Sequence, residues 1–146
     1  MNHLRPTVHR LPLNDLPELR LHDSPLRWRV EQELGVSLPD DYVQFVSYHN
    51  GAEGDVGNEL LQLFRFEDLP AIRRQTAYDE LLPCTIPFGS NGSSELFAFD
   101  TRTSPMPIVA MPNPDIDIDI EEAIVLGHSF EAFLRRLSSV GIFGQG

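Results

Sequence analysis

The sequence predicts an α+β fold in which a small, largely antiparallel sheet is flanked by an N-terminal pair of helices and a C-terminal helix. Three observations lead to this prediction. Residues 24–51 show helical periodicity between start and stop signals, residues 85–111 show short apolar runs between turn residues, and residues 129–137 return to helical periodicity. A chain of 146 residues suits one domain, which can bury roughly two-thirds of the surface of its unfolded chain.

The helix pair is bounded by clear signals. Ser24 can cap the first helix, and Gly35 can end it because glycine adopts left-handed backbone conformations. Pro39 opens the second helix, and Asn50-Gly51 ends it. Each helix carries one apolar stripe that is predicted to face the core. The stripes consist of Leu26, Val30 and Leu34 in the first helix and of Tyr42, Phe45 and Val46 in the second.

The segment between the helix pair and the sheet gives weaker signals. Residues 52–58 are rich in glycine and acid and are predicted to form an exposed loop. The apolar run 60–66 is predicted to be a buried strand. Asp68 is predicted to cap a short third helix that continues to about Leu81, before Pro83.

The second half of the chain predicts strands and a closing helix. Strands are expected at 85–88, 96–100 and 108–111, and the first two are joined by the turn Gly89-Ser90-Asn91-Gly92, in which Asn91-Gly92 is the hairpin signal. Residues 115–121 alternate strictly between acid and isoleucine, so in a strand the acids would share one face. Ser129 is predicted to cap the closing helix, whose inward residues are Phe130, Phe133, Leu134 and Leu137.

These elements predict three segments. Residues 1–23 form a partly ordered leader with three prolines, residues 24–137 form the domain, and residues 138–146 form a loose, glycine-rich tail.

Charge limits the classes of partner. The chain has 22 acidic and 11 basic residues and a net charge of −11. Such a molecule repels nucleic-acid phosphates and anionic lipid and attracts basic proteins. All the basic residues are arginine, and the lack of lysine excludes Schiff-base chemistry and lysine-dependent P-loops.

The compartment is predicted from cysteine and hydropathy. The single cysteine, Cys84, permits neither an internal disulfide nor a cysteine zinc cluster. The N-terminus has no apolar signal-peptide core, and no apolar run is long enough to cross a bilayer. The sequence therefore predicts a cytoplasmic protein.

Short motifs occur in a characteristic order along residues 24–137. They are Glu31-x-x-Leu34-Gly35, Leu38-Pro39-x-x-Tyr42-x-x-Phe45, Asn50-Gly51, the stretch from Ile86 to Gly92 followed by Glu95 to Asp100, and Ser129-Phe130-x-x-Phe133-Leu134. In this order and spacing the chain resembles the SUKH superfamily, in particular the Smi/Knr branch that groups fungal cell-wall-synthesis regulators with many bacterial proteins. Ala52 departs from the family pattern, which often has another glycine after Asn-Gly.

The resemblance implies a non-enzymatic binding protein without a cofactor. Bacterial members of the family resemble immunity proteins that neutralise toxins, so a basic toxin domain is the expected partner. The fungal members imply an alternative, a regulatory scaffold for cell-envelope synthesis. A third hypothesis, from another class, is a small metal-assisted or acid–base hydrolase. It would use a histidine such as His49 and the acids of residues 115–122, which we call the acidic row.

The acidic row is the strongest candidate for a partner-binding surface. Calcium binding is disfavoured because Ile120 stands where a calcium loop needs glycine and Leu126 where it needs a bidentate glutamate. Two interpretations remain open: a solvated edge strand that discourages edge pairing, and a docking surface for a basic partner. The expected contact residues are Asp115, Asp117, Asp119, Glu121 and Glu122, followed by Glu53, Asp55 and Glu59.

Overall fold

The computed structural model describes residues 3–5, 21–75, 80, 82–112 and 120–144 of the chain. Within these residues, an antiparallel sheet holds seven strands in the order in which they follow along the chain. The strands are β1 (His3–Arg5), β2 (Glu53–Val56), β3 (Glu59–Leu63), β4 (Thr85–Ser90), β5 (Glu95–Asp100), β6 (Ile108–Pro112) and β7 (Ile124–Gly127). The helices are α1 (Pro25–Leu34), α2 (Asp40–His49), α3 (Leu69–Gln75) and α4 (Phe130–Ser139). The predicted α+β fold is therefore confirmed.

The predicted helix pair is confirmed, with its caps. The Ser24 hydroxyl accepts a hydrogen bond from the Arg27 amide at 3.1 Å, and Gly35 ends α1 with φ of 81°. Pro39 precedes α2, and Asn50 follows its last residue. The Asn50 side chain accepts from the Phe66 amide at 2.7 Å and donates to Glu67, so it joins the end of α2 to the segment after β3.

The main core lies between the helices and one face of the sheet, around the Tyr42 ring. That ring lies 5.1 Å from Phe99, 5.4 Å from Phe130 and 5.5 Å from Phe88, measured between ring centroids. Aromatic rings packed edge-to-face at such distances add to the gain from burial. The stripe predicted for α2 is therefore core, although Phe45 is only partly buried.

A second apolar cluster covers the centre of the opposite face. Along β5, Phe97 and Phe99 join the main core, while Leu96 and Ala98 join the second cluster. This alternation follows from the period of two in a strand. The other buried members of the second cluster are Leu82, Val109 and Met111.

The prediction of an exposed loop at residues 52–58 is wrong. Residues Glu53–Val56 form β2 and pair with β3 across a tight turn in which Gly57 has φ of 64°. Glycine and acid depress strand propensity, but Val56 is fully buried in the core and this burial outweighs propensity. Ala52 is also fully buried, and its carbonyl accepts from the Leu63 amide at 2.9 Å.

The strand predicted for 60–66 is confirmed as β3, which ends at Leu63. Asp68 does not cap α3 directly, because it lies in a 3-10 turn, Phe66–Asp68, that leads into the helix. The predicted helix end near Leu81 lies outside the described residues. The three strands expected at 85–111 are confirmed with small extensions.

The closing helix is confirmed, and Ile142 after it packs in the core. The Ser129 hydroxyl accepts from the Ala132 amide at 3.0 Å. Ile142 is fully buried, its amide donates to Glu59, and Arg136 donates to the carbonyls of Gly141 and Ile142. The expected loose tail therefore packs on the domain at least as far as Ile142, because Ile142 supplies a core side chain. The leader contributes β1, and Leu21 before α1 is also buried.

The shared acidic face expected for residues 115–121 depends on a strand, and the described end of this segment is not a strand. Residues Ile120–Glu122 form a 3-10 turn that is closed by a hydrogen bond from the Ala123 amide to the Ile120 carbonyl. An alternating sequence places like side chains on one face of a strand, but it does not supply a neighbouring strand to pair with. Here Ile120 packs on the second apolar cluster. Strand β7, which was not predicted, follows this turn.

Candidate protein-interaction surface

The two described acids of the row lie in an exposed turn. Glu121 and Glu122 are both exposed in the turn that precedes β7, the last strand of the described sheet. We call residues Ile120–Glu122 the acidic turn. Asp115, Asp117 and Asp119 lie outside the described residues.

Arg102 holds one side of the acidic turn. Its guanidinium donates to the Glu121 carboxylate at 2.9 Å and to the Asp100 carboxylate at 2.9 Å. The hydrogen bonds to Asp100 and Glu121 raise the pKa of Arg102 above its ordinary value. Burial raises the pKa of Asp100, but the hydrogen bonds from Arg102 outweigh it, so that pKa is lowered overall. The charged groups therefore fix the acidic turn to the end of β5.

The second group of predicted contact acids is largely engaged in the fold. Glu53 accepts a hydrogen bond from the Gln62 side chain at 2.6 Å, and Glu59 accepts from the Ile142 amide at 3.2 Å. Asp55 is exposed on β2, opposite His3 in the register of β1. Of these three residues, Asp55 is the one most open to a partner.

The sheet order separates the two groups of acids. Glu53 and Asp55 lie on the second strand, and the acidic turn directly precedes the seventh. Five steps between neighbouring strands correspond to roughly 24 Å along the sheet. The structure therefore does not bring all the predicted contact residues into one patch.

Several arginines are used inside the fold, a feature that sequence reasoning missed. Arg27 donates to Glu31, Asp40 and the Leu38 carbonyl. Arg73 donates to the carbonyls of Thr85 and Pro83, and Arg136 binds the turn after α4. These guanidinium groups therefore have structural roles as donors to carbonyls and carboxylates of neighbouring segments.

Two exposed aromatic side chains were also missed. Trp28 on α1 is 66% exposed and Phe143 after α4 is 68% exposed. The stripe of Leu26, Val30 and Leu34 could have indicated Trp28, since a residue two positions from a stripe member points away from it on a helix.

His49, the histidine named in the hydrolase hypothesis, packs against a neighbouring aromatic side chain. The His49 ring stacks on Phe45 with a centroid distance of 4.4 Å. Cys84 is partly buried beside β4. Among the described residues, no group of three or more His, Cys, Asp or Glu side chains is arranged to hold a metal ion. Asp115, Asp117 and Asp119 lie outside the described residues.

The helices described by the structure do not include one with the length and apolarity needed to cross a membrane.

Comparison with known proteins agrees with this architecture. The model of the SMI1/KNR4 family (SUKH-1) matches residues 28–136, which run from α1 into α4. The chain is 31% identical over 111 residues to the uncharacterized protein YnaB of Bacillus subtilis (strain 168), an alignment that covers 76% of this chain and 72% of YnaB. The matched residues include Gly35, Asn50 and Ser129, which end, join and cap the helices described above. The chain belongs to the SMI1/KNR4 (SUKH-1) family.

Proposed function

We propose that this chain is a non-enzymatic immunity protein that binds a cognate bacterial toxin and blocks it through an acidic surface. Membership of the SMI1/KNR4 family is compatible with an immunity or a regulatory role. The observation that favours binding of a basic partner is the exposed acidic turn, which ends the acidic row in a chain of net charge −11.

The acidic turn would act in two ways. Exposed carboxylates steer a basic partner to the complex, and they occupy the groove in which an anionic substrate of the toxin would lie. The proposed contact residues are those of the row, Asp115, Asp117, Asp119, Glu121 and Glu122, with Asp55 as a separate second contact. Glu53 and Glu59 rank lower because they are only partly exposed, whereas Glu121, Glu122 and Asp55 are exposed.

The proposal includes the compartment. A toxin that acts on intracellular targets must be met in the cytoplasm, and a protein with a single cysteine suits a reducing compartment.

Co-expression tests the function directly. The probe is the protein encoded next to this chain in its genome, expressed in a host whose growth it arrests. We expect this chain to restore growth and to copurify with that protein as a stable complex. Continued arrest without a complex would contradict the immunity function, and copurification with envelope-synthesis enzymes would favour the regulatory scaffold instead.

Calorimetry tests the hydrolase hypothesis separately. We expect no heat of binding on titration of the full chain with calcium, magnesium or zinc at millimolar concentrations. Saturable metal binding that is lost on replacing the row aspartates with asparagine would contradict a non-enzymatic role for this segment.

A further inference from the structure

Trp28 is the only tryptophan of the chain and is 66% exposed. It lies on α1 between Leu26 and Val30, which face the core. Tryptophan is highly buried on average in folded proteins, and exposed tryptophans are enriched among the residues that contribute most to protein–protein binding. Among the described residues, the fold leaves most of the Trp28 side chain exposed.

An open depression of about 280 Å³ adjoins the Trp28 side chain. Its remaining walls are polar: His22, Asp23, Ser24, Arg27 and Glu31. An aromatic face beside carboxylates is the combination that binds a cation, because the ring quadrupole and the carboxylate charge attract the same group.

The one cation in the depression is already bound within the fold. Arg27 donates to Glu31 at 3.0 Å and to Asp40 at 2.8 Å, and its side chain is only 12% exposed. Burial lowers the pKa of Arg27, but the hydrogen bonds to Asp40 and Glu31 outweigh it and raise that pKa overall. Two carboxylates therefore pair with the positive charge of the Arg27 guanidinium. Asp23, whose side chain is 94% exposed, adds a further negative charge to the depression.

We propose that this depression receives an arginine side chain of the protein partner, which stacks on the Trp28 indole and pairs with Asp23. Arginine is chosen because its planar guanidinium stacks on aromatic faces and also binds a carboxylate. The inference rests on the proposed function and adds a second contact to it, on α1 and not on the acidic turn.

Binding of an arginine peptide tests this contact without the natural partner. The probe is an acetylated and amidated tetra-arginine peptide, titrated into the full chain at low salt. Because the chain has one tryptophan, its single indole N–H signal and its fluorescence report on this site alone. We expect saturable changes in both, which weaken as ionic strength rises.

Matched variants separate the site from general charge attraction, and isothermal titration calorimetry measures their affinities because Trp28→Ala has no indole to report binding. We expect Trp28→Ala to weaken peptide binding about fivefold, the size of a cation–π contact, and Asp23→Asn to weaken it about threefold. Phe143→Ala removes an aromatic of similar exposure from another element, and Glu33→Gln removes an exposed charge of α1 that does not line the depression. Both controls should leave affinity unchanged.

Failure of this inference is distinct from failure of the proposed function. An indole signal that does not move, or equal affinities of Trp28→Ala and Phe143→Ala, would overturn the Trp28 contact and leave growth rescue as a separate test of immunity. Choline that shifts the indole signal at lower concentration than the peptide does would overturn arginine as the occupant.

Discussion

Glu31 connects the first helix to the link that leads into the second. One oxygen of its carboxylate accepts from the Arg27 side chain at 3.0 Å and from the Leu38 amide at 2.8 Å. The side chain is largely buried, with 17% exposure. A carboxylate that serves both a charged donor and a backbone amide stabilises the turn more than an exposed ion pair does.

Replacement of Glu31 by alanine should therefore be destabilising. The change leaves the Leu38 amide and part of the Arg27 guanidinium without an acceptor, and we expect a loss of about 2 kcal/mol in the free energy of unfolding. Urea denaturation of Glu31→Ala measures it. Glu33→Ala, an exposed change on the same helix, should stay within about 0.5 kcal/mol of the wild type. Equal midpoints for the two variants would contradict the structural role of Glu31.

Tyr42 has a buried hydroxyl for which the described structure shows no hydrogen-bond partner. Burial raises the pKa of Tyr42, and the nearby Glu67 charge adds to the effect. Tyr42→Phe keeps the ring and removes the uncompensated hydroxyl, so we expect unchanged or higher stability, by up to about 1 kcal/mol. Denaturation at neutral pH checks this. A loss of more than about 1 kcal/mol in the free energy of unfolding would show that the Tyr42 hydroxyl has a hydrogen-bond partner.

Tyr42→Phe should also change how the stability of the protein depends on pH. The folded pKa of Tyr42 is raised above that of an unfolded tyrosine, about 10, so ionisation in the unfolded state lowers stability as pH rises above that value. In Tyr42→Phe this part of the alkaline loss should disappear. Stability curves of the two proteins that stay parallel across this pH range would contradict the raised pKa.

Asp41 and Ser129 together start the closing helix. Asp41 belongs to α2, yet its carboxylate accepts from the amides of Phe130 at 2.9 Å and Glu131 at 3.1 Å. The Ser129 hydroxyl accepts from the next amide, that of Ala132. A carboxylate at a helix N-terminus satisfies orphan donors and meets the positive end of the helix dipole. Asp41 therefore couples two helices far apart in sequence.

Removal of this coupling should destabilise the domain. We expect Asp41→Ala to lower the free energy of unfolding by about 1–2 kcal/mol. Ser129→Ala should cost about 1 kcal/mol. Gln44→Ala, an exposed change on α2, serves as the control and should be close to neutral. Thermal denaturation measures all three, and an Asp41→Ala protein as stable as the control would refute the proposed capping contact.

Prediction of elements from the sequence succeeded where local signals coincide. The first and last helices were predicted well because Ser24, Gly35 and Ser129 set their limits and apolar periodicity filled their interiors. Strands β1, β2 and β7 were missed. Their sequences are short, and β2 carries an acid–glycine pattern typical of loops, so only pairing and burial in the folded chain define them.

At the scale of the whole molecule, the sequence predicted the fold class and the excess of acid, but not where the acid lies. Chain order alone did not indicate that the sheet would place β2 and β7 five strands apart. Local patterns likewise did not indicate that Asp41 would cap a helix about ninety residues away, because tertiary hydrogen bonds leave no periodic signal. Trp28 was predictable as an outward residue, while the depression beside it depends on the Arg27 contacts.

The proposed function rests on the claim that exposed acidic side chains attract a basic protein partner. The acidic turn supplies two exposed glutamates for this test. Two other exposed glutamates, Glu33 and Glu80, provide a comparison of equal charge. One variant combines Glu121→Gln and Glu122→Gln, the other Glu33→Gln and Glu80→Gln. A third variant neutralises the whole row from Asp115 to Glu122.

The most direct measurement is the association rate constant of each variant with the copurified toxin as a function of salt concentration. We expect unchanged folding in all variants, the slowest association at low salt for the row variant, an intermediate rate for the turn variant, and rates that converge as salt is raised. Equal association rates for the turn, row and control variants would contradict the claim and leave the row as a solvated surface segment.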